Sequence, residues 1–237
     1  MPGPGMELIG EEEKRELLEV LEAGYLFRYG SPDNPAFKAK VYHLEQEVAR
    51  LVGVRHAVAV NSGTTALLVA LAGLGVGPGD EVIVPGYTFI ASMSSVIYAR
   101  AIPILAEIDR TFNLDPADVR RKITPRTKAI MAVHMLGNPA RLDELKAIAD
   151  EHNLLLIEDC AQAFGASYKG RRVGPSAMPA RTASTSSRPS RPAMEGWWSP
   201  TTELPTVASS ASTTRGIHPY VWGSRSAGAP SSAWIFA

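Results

Sequence analysis

Residues 154–165 read LLLIEDCAQAFG, and their reading decides the fold. The four apolar residues at 154–157 are too few for a lone helix and suit a strand buried on both faces. Glu158 and Asp159 follow at once. In a parallel α/β sheet, ligands sit at the carboxyl ends of strands, so these acids fall where a site would be. A carboxylate there can pair with a cationic ring nitrogen of a cofactor. It can equally cap the next helix, and position alone does not separate the two.

Upstream, strand and helix signals alternate. Strands are expected at 56–60, 81–85, 102–108, 128–133 and 154–159. Helices are expected at 64–74, 88–99, 116–123 and 142–152. This order implies a mainly parallel sheet covered by helices on both sides, a three-layer α/β/α arrangement of the open, doubly wound kind. Two helices precede it. One spans 11–23, with three glutamates in its first turn and Gly24 to stop it. The other spans 37–51, with Val41, Leu44, Val48 and Leu51 on one face. Residues 1–5 read as a loose leader, and Met6 is a candidate start.

The chain has 237 residues, with 24 basic and 24 acidic side chains and zero net charge. There is thus no electrostatic case for nucleic acid or an anionic membrane as partner. No signal peptide and no apolar run of membrane-spanning length is visible, so a cytoplasmic protein is expected. Cys160 is the single cysteine. It reads as a small buried residue rather than a nucleophile, with no histidine close to it in sequence. No metal is expected.

Asn61-Ser62-Gly63-Thr64-Thr65-Ala66 joins a strand to a helix. Gly63 lets backbone approach a ligand, the helix start offers N–H groups and a positive dipole end, and Ser62 and Thr64 add hydroxyls, which together suit a phosphate. A plain N-cap is the competing reading. The glycines at 73, 75, 77 and 79 follow a helix rather than a strand, so they make a turn and not a dinucleotide fingerprint. Pro85-Gly86-Tyr87-Thr88-Phe89 also ends a strand, and Tyr87 or Phe89 could stack on a flat ring there. Taken singly, each is expected in the core. His134, just after a strand, reads either as a site residue or, slightly preferred, as a satisfied core histidine, and Asp109, Asp115 and Asp118 read as solvated caps. Gln162 shares a face with Asp159 if a helical turn forms.

Taken together, GEEEKRELLEVLEAG, GVRHAVAVNSGTTAL, GPGDEVIVPGYTFIAS, FNLDP, ITPRTKAI and LIEDCAQAFGASYKGRRVG resemble, in order and wording, the DegT/StrS-type sugar aminotransferases, over residues 6–174. The resemblance implies a fold type I large domain that uses pyridoxal 5'-phosphate. It implies that Gly63 and Thr64 hold the phosphate, Phe89 stacks on the ring, Asp159 pairs with the pyridine nitrogen and Gln162 lies near the ring hydroxyl. It further implies a homodimer, doubtful for this chain, with an amino-acid donor, usually glutamate, and a nucleotide-linked keto-sugar as acceptor. A related dehydratase lacking the lysine, or a non-catalytic scaffold using the Arg-rich tail, are the alternatives.

The resemblance also implies a Schiff-base lysine about two dozen residues after the GRRVG turn. That position falls near Ser187 and Arg188, and no lysine follows Lys169. Composition breaks near Gly174: beyond it there is no Lys or Asp, and Ser, Thr, Pro, Ala and Arg dominate. Joining each codon's third base to the next two gives forced results. Met178-Pro179 must yield alanine, Met194-Glu195 glycine and Trp197-Trp198 valine. The shifted product can read GDGGMVVTDD, a signature of the family, with a lysine permitted at Ser187-Arg188. The chain is therefore read as 1–174, the first part of the large domain, truncated, and 175–237, a frame-shifted tail without regular structure. A genuine disordered Ser/Pro/Arg tail is the competing reading.

Overall fold

The computed structural model describes residues 9–174 and 233–236. Two compact units divide between Leu44 and Glu45.

In the first unit, α1 spans Glu11–Ala23, the bounds expected from its acidic first turn and terminal glycine. Glu13 Oε2 accepts the Gly10 N–H at 2.8 Å, which ties the helix start, and Gly24 closes the end in the left-handed region at φ 67°. Lys40 Nζ lies 2.5 Å from both Glu16 and Glu19. Tyr25 packs edge-on against Phe27 and Phe37.

Helix α2, Lys40–Val52, starts three residues later than expected and buries Glu45, Val48, Ala49 and Val52. The second unit then alternates as the sequence predicts. Strand β1 is His56–Ala59 and α3 Gly63–Gly73. Strand β2 is Glu81–Pro85, α4 Ala91–Tyr98 and β3 Ile102–Ala106. Helix α5 is Pro116–Lys122, β4 Thr127–Val133, α6 Leu142–Glu151 and β5 Leu155–Asp159. Residues 88–90, expected to be helical, lead into α4 instead. A hairpin of β6, Ser167–Tyr168, and β7, Arg171–Arg172, closes the described part of this stretch.

Four strands form one parallel sheet in the order β3-β2-β4-β5. The chain steps from β2 outward to β3, returns past β2 to β4, and steps the other way to β5. The order therefore reverses between β2 and β4, and a crevice opens outside their carboxyl ends. Side chains alternate across this sheet as the pleat demands. Val82, Val84, Ala129, Met131 and Ile157 pack with Leu67 and Leu71 of α3 and Ala91 and Val96 of α4. Ile83, Ile130, Ala132 and Leu156 pack on the other side with Val119 of α5 and Leu145 and Ile148 of α6. This is the expected three-layer architecture. Each large side chain taken fully out of water stabilises it by about 1.5–3 kcal/mol.

One element lies where no regular structure was expected. Ala233–Phe236 form β8, which pairs in parallel with β1, His56 opposite Ala233 through Ala59 opposite Phe236. Four residues are too short a run for periodicity to register. The remainder of 175–237, including Ser187 and Arg188, lies outside the described residues.

Candidate functional site

The alternation along β5 gives Glu158 and Asp159 opposite fates. Glu158 shares the parity of Leu156 and turns toward the α5 and α6 layer, whereas Asp159 shares that of Ile157 and turns toward α3 and α4. Their partners follow. Glu158, whose side chain is fully buried, meets His134 Nε2 at 3.1 Å and accepts the Gly174 N–H at 2.8 Å. Asp159 Oδ1 accepts the Ala161 N–H at 3.1 Å, and Oδ2 accepts the Ser92 hydroxyl of α4 at 3.3 Å. Thr88 Oγ1 lies 3.0 Å from Ser92 Oγ.

Asp159 therefore builds a side-chain turn over the next two residues rather than capping a helix. No helix follows it: residues 161–165 are turns, closed by Ala163 N–H to Cys160 C=O at 2.9 Å. Gln162 consequently does not share a helical face with Asp159. Its Oε1 accepts the Leu136 N–H at 3.0 Å and so anchors the turn Met135–Gly137 after β4.

The loops that flank Asp159 come from the ends of β1, β2 and β4. Helix α3 begins beside Ala161: a Cβ on Gly63 would sit 3.9 Å from the Ala161 Cβ, an ordinary contact. Neither packing nor backbone demands glycine there. Ser62 is the N-cap, its Oγ accepting the Thr65 N–H at 3.1 Å. The N-cap reading is thus correct for Ser62, and it is compatible with the anion reading. Gly63 and Thr64, at the first two helical positions, have N–H groups with no carbonyl inside the helix to meet. The positive end of the helix is directed the same way.

Tyr87 and Phe89 are not in the core. They are 53% and 66% exposed, because the loop after β2 runs beyond the sheet, where neither helix layer covers it. Tyr87 leans on Phe112, ring centroids 5.6 Å apart. Phe89 lies just before α4, and its C=O accepts the Ser92 N–H at 3.1 Å. Asp118 is likewise no solvated cap. It is buried, accepts the Glu107 N–H at 2.7 Å and pairs with Arg121 at 2.8 Å, contacts that hold its carboxyl below the usual range. Asp115 caps α5 as expected, and Asp109 accepts the Thr111 N–H at 2.7 Å.

His134 is a satisfied core histidine, as its sequence position suggested. Its Nδ1 accepts the Ala140 N–H at 3.0 Å. The proton therefore sits on Nε2 and is donated to Glu158. His134, Glu158 and Cys160 bring their ligand atoms within 4.8 Å of one another, a cluster the sequence did not predict. The tautomer argues against a cation there. Binding at Nε2 would move the proton to Nδ1, against the Ala140 N–H. Cys160 packs between two apolar clusters. Burial first, then the charges of Glu158 and Asp159, push its thiol well above the ordinary value, so it is a poor nucleophile.

Lys169 turns the β6–β7 hairpin at φ 48° and its Nζ lies 2.5 Å from Asp143 of α6. Lys169, with Tyr168, lowers the Asp143 carboxyl to about 2. It is committed on the α6 layer, the side of the sheet opposite Asp159. Ser92 is the site residue the sequence did not reveal. It lies in ASMSS, three serines with no signal to rank them, and only the fold distinguishes it. Among the described residues no helix is long and apolar enough to cross a membrane.

Residues 7–190 match the DegT/DnrJ/EryC1/StrS aminotransferase family. GDP-perosamine synthase of Caulobacter vibrioides is 53% identical over 135 residues, 56% of this chain and 36% of that protein. A dTDP-3-amino-3,4,6-trideoxy-alpha-D-glucose transaminase of Streptomyces venezuelae is 51% identical over 131 residues, 55% of this chain and 35% of that protein. The crystal structure of NtdA from Bacillus subtilis with bound cofactor PMP superposes with a TM-score of 0.61 at 31% identity, covering 70% of this chain and 38% of that one. The chain thus spans roughly a third of the length of these relatives.

Proposed function

The chain belongs to the DegT/DnrJ/EryC1/StrS aminotransferase family, and from that premise we propose that it carries the cofactor-binding half of a pyridoxal-phosphate sugar aminotransferase. The observation that supports this most is Asp159. It stands at the carboxyl end of β5 beside the order reversal of the sheet, with one oxygen held by Ala161 and the other by Ser92. It sits next to the open start of α3. A fixed carboxylate beside an anion-binding helix end suits a ligand that is phosphate at one end and a cationic ring at the other.

In this reading Gly63 and Thr64 donate backbone N–H groups to the phosphate, and the Thr64 hydroxyl adds a third donor. Asp159 holds the proton on the ring nitrogen. Phe89 covers one face of the ring and excludes water from it. Gln162 orients the Met135–Gly137 turn and brings its amide near the ring hydroxyl. When bound, the cofactor supplies an electron sink for amino-group transfer. The proposed reaction moves an amino group from an amino acid, glutamate first, to the keto group of a nucleotide-linked sugar, in a homodimer of the complete enzyme in the cytoplasm.

The chain as written is proposed not to turn over. No lysine stands near Ser187 and Arg188, where the family resemblance places it, and with it the covalent anchor and the proton shuttle would be missing. The shuttle alone is worth about 10²–10⁴ in rate. We attribute this to a frame shift near the Gly174 codon, with 1–174 the native part of the large domain. The same absence of lysine keeps a sugar dehydratase of this family as the second reading.

The purified chain should bind pyridoxamine phosphate reversibly, and Asp159→Asn should weaken that binding. Borohydride added with pyridoxal phosphate should reduce no lysine adduct at the site, and glutamate with nucleotide keto-sugars should give no product. Unchanged binding by the Asp159→Asn variant would overturn the assignment of the site. Resequencing the gene around codon 174 tests the frame. A confirmed frame with normal turnover would sink both the frame shift and the missing-lysine argument.

A further inference from the structure

We propose that Ser92 is a positioning residue for Asp159, the end of a hydroxyl relay from Thr88 that fixes the direction in which the carboxylate presents its free lone pair. This rests on the cofactor reading above. Ser92 is fully buried in the first turn of α4, so its hydroxyl has no water to turn to. An ionised carboxylate only accepts, so the single Ser92 proton is committed to Asp159 Oδ2. In the 3.0 Å contact with Thr88 the Ser92 oxygen must then accept, and Thr88 donates. The direction of the whole relay follows from one charge.

The neighbouring serines do something else. Ser94 Oγ lies 3.5 Å from the Ala91 carbonyl, and Ser95 Oγ bonds the Ser92 carbonyl at 3.3 Å. Both serve their own helix. Ser92 alone of the three is aimed across the α4–sheet interface at an acid 67 residues away. With Ala161 on Oδ1 and Ser92 on Oδ2, rotation of the carboxylate plane is restrained from both sides. A ring nitrogen then meets an acceptor already oriented, and ordering entropy is not lost on binding. The 3.3 Å separation is long for O–H···O, as is common for such contacts in unliganded sites, which tighten when the ligand arrives.

The test uses the full 237-residue chain and two probes, pyridoxamine 5'-phosphate and its 1-deaza analogue, in which carbon replaces the ring nitrogen. The ratio of their dissociation constants isolates what the ring nitrogen contributes. The unmodified chain should prefer pyridoxamine phosphate. Ser92→Ala should lose about tenfold of that preference, the scale of one hydrogen bond to a charged group, while affinity for the deaza analogue stays unchanged. Ser92→Thr should retain the preference, and Asp159→Asn should abolish it. If Ser92→Ala keeps the full ratio while Asp159→Asn loses it, the positioning role is overturned and the cofactor reading stands. An equal loss for both probes would mean a structural role only, and also overturns the proposal. If the unmodified chain shows no preference or binds neither probe, the cofactor reading falls and this inference with it.

Discussion

Replacing Glu158 by alanine should destabilise the fold far more than a surface substitution, by an amount the contacts set. The carboxylate accepts the His134 Nε2 proton and the Gly174 N–H while fully buried. Its removal leaves both donors without that acceptor. An orphaned buried donor costs about 1–3 kcal/mol, so two together cost about 2–6 kcal/mol. Partial relaxation at the Gly174 side brings the expected value to about 3 kcal/mol. Glu158→Gln keeps the volume and a carbonyl acceptor, and should cost about half as much. Urea unfolding of the full chain reads this directly. With m of about 2 kcal/mol/M, the midpoint should fall by roughly 1.5 M for alanine at unchanged slope. Glu158→Ala combined with His134→Ala should be non-additive by roughly 0.5–3 kcal/mol, because each single change already orphans the other partner. Additivity of the pair, or an alanine variant within about 0.5 kcal/mol of the parent, would refute the pairing.

Glu81 begins β2 with its side chain buried, bonded to Thr124 at 2.5 Å and to Arg126 at 2.8 Å. The Thr124 hydroxyl first, then Arg126, hold its carboxyl below the ordinary glutamate range. A depressed folded value means stability that is present above the unfolded glutamate value and lost as pH falls through the folded one. Urea midpoints measured from pH 6 down to pH 3 should therefore decline for the parent, and less steeply for Glu81→Gln. Leu145→Ala, at a fully buried position of α6, should cost about 2–5 kcal/mol by the same measurement. The borohydride experiment should yield no peptide modified at the site by mass spectrometry.

Much of this was legible in the sequence because strand and helix periods are local. The apolar runs of β2, β4 and β5 and the caps Asp115 and Gly24 each announce themselves within a few residues. The α1 bounds match, Asp159 falls at the end of β5, and Gly63 and Thr64 fall at the start of the helix that follows β1, where the sequence placed them. What was not legible depends on contacts between distant segments. The Thr88–Ser92–Asp159 relay joins a helix start to a strand end 67 residues on. Phe89 and Tyr87 were misjudged because burial depends on whether a layer reaches past the sheet, which no window of sequence contains. Asp118 looks like a surface cap until Glu107 and Arg121 close on it. Strand β8 is four residues long and has meaning only against β1.

The opposite facing of Glu158 and Asp159 bears on how the gene for such a domain can change. A volume-conserving swap of one apolar residue for another along β5 costs less than about 1.5 kcal/mol and leaves both acids where they are. Losing or gaining a single codon between 155 and 157 would rotate the strand end by one residue. The residue meant for His134 would be driven toward α4, and the residue meant for Ser92 into the α6 layer. Both acids would then be buried against the wrong partners at once. Codon-scale insertions and deletions should therefore be tolerated in the turn at 74–80 and purged from β5. A deep insertion scan of the gene would show a sharp interval of intolerance ending at codon 159.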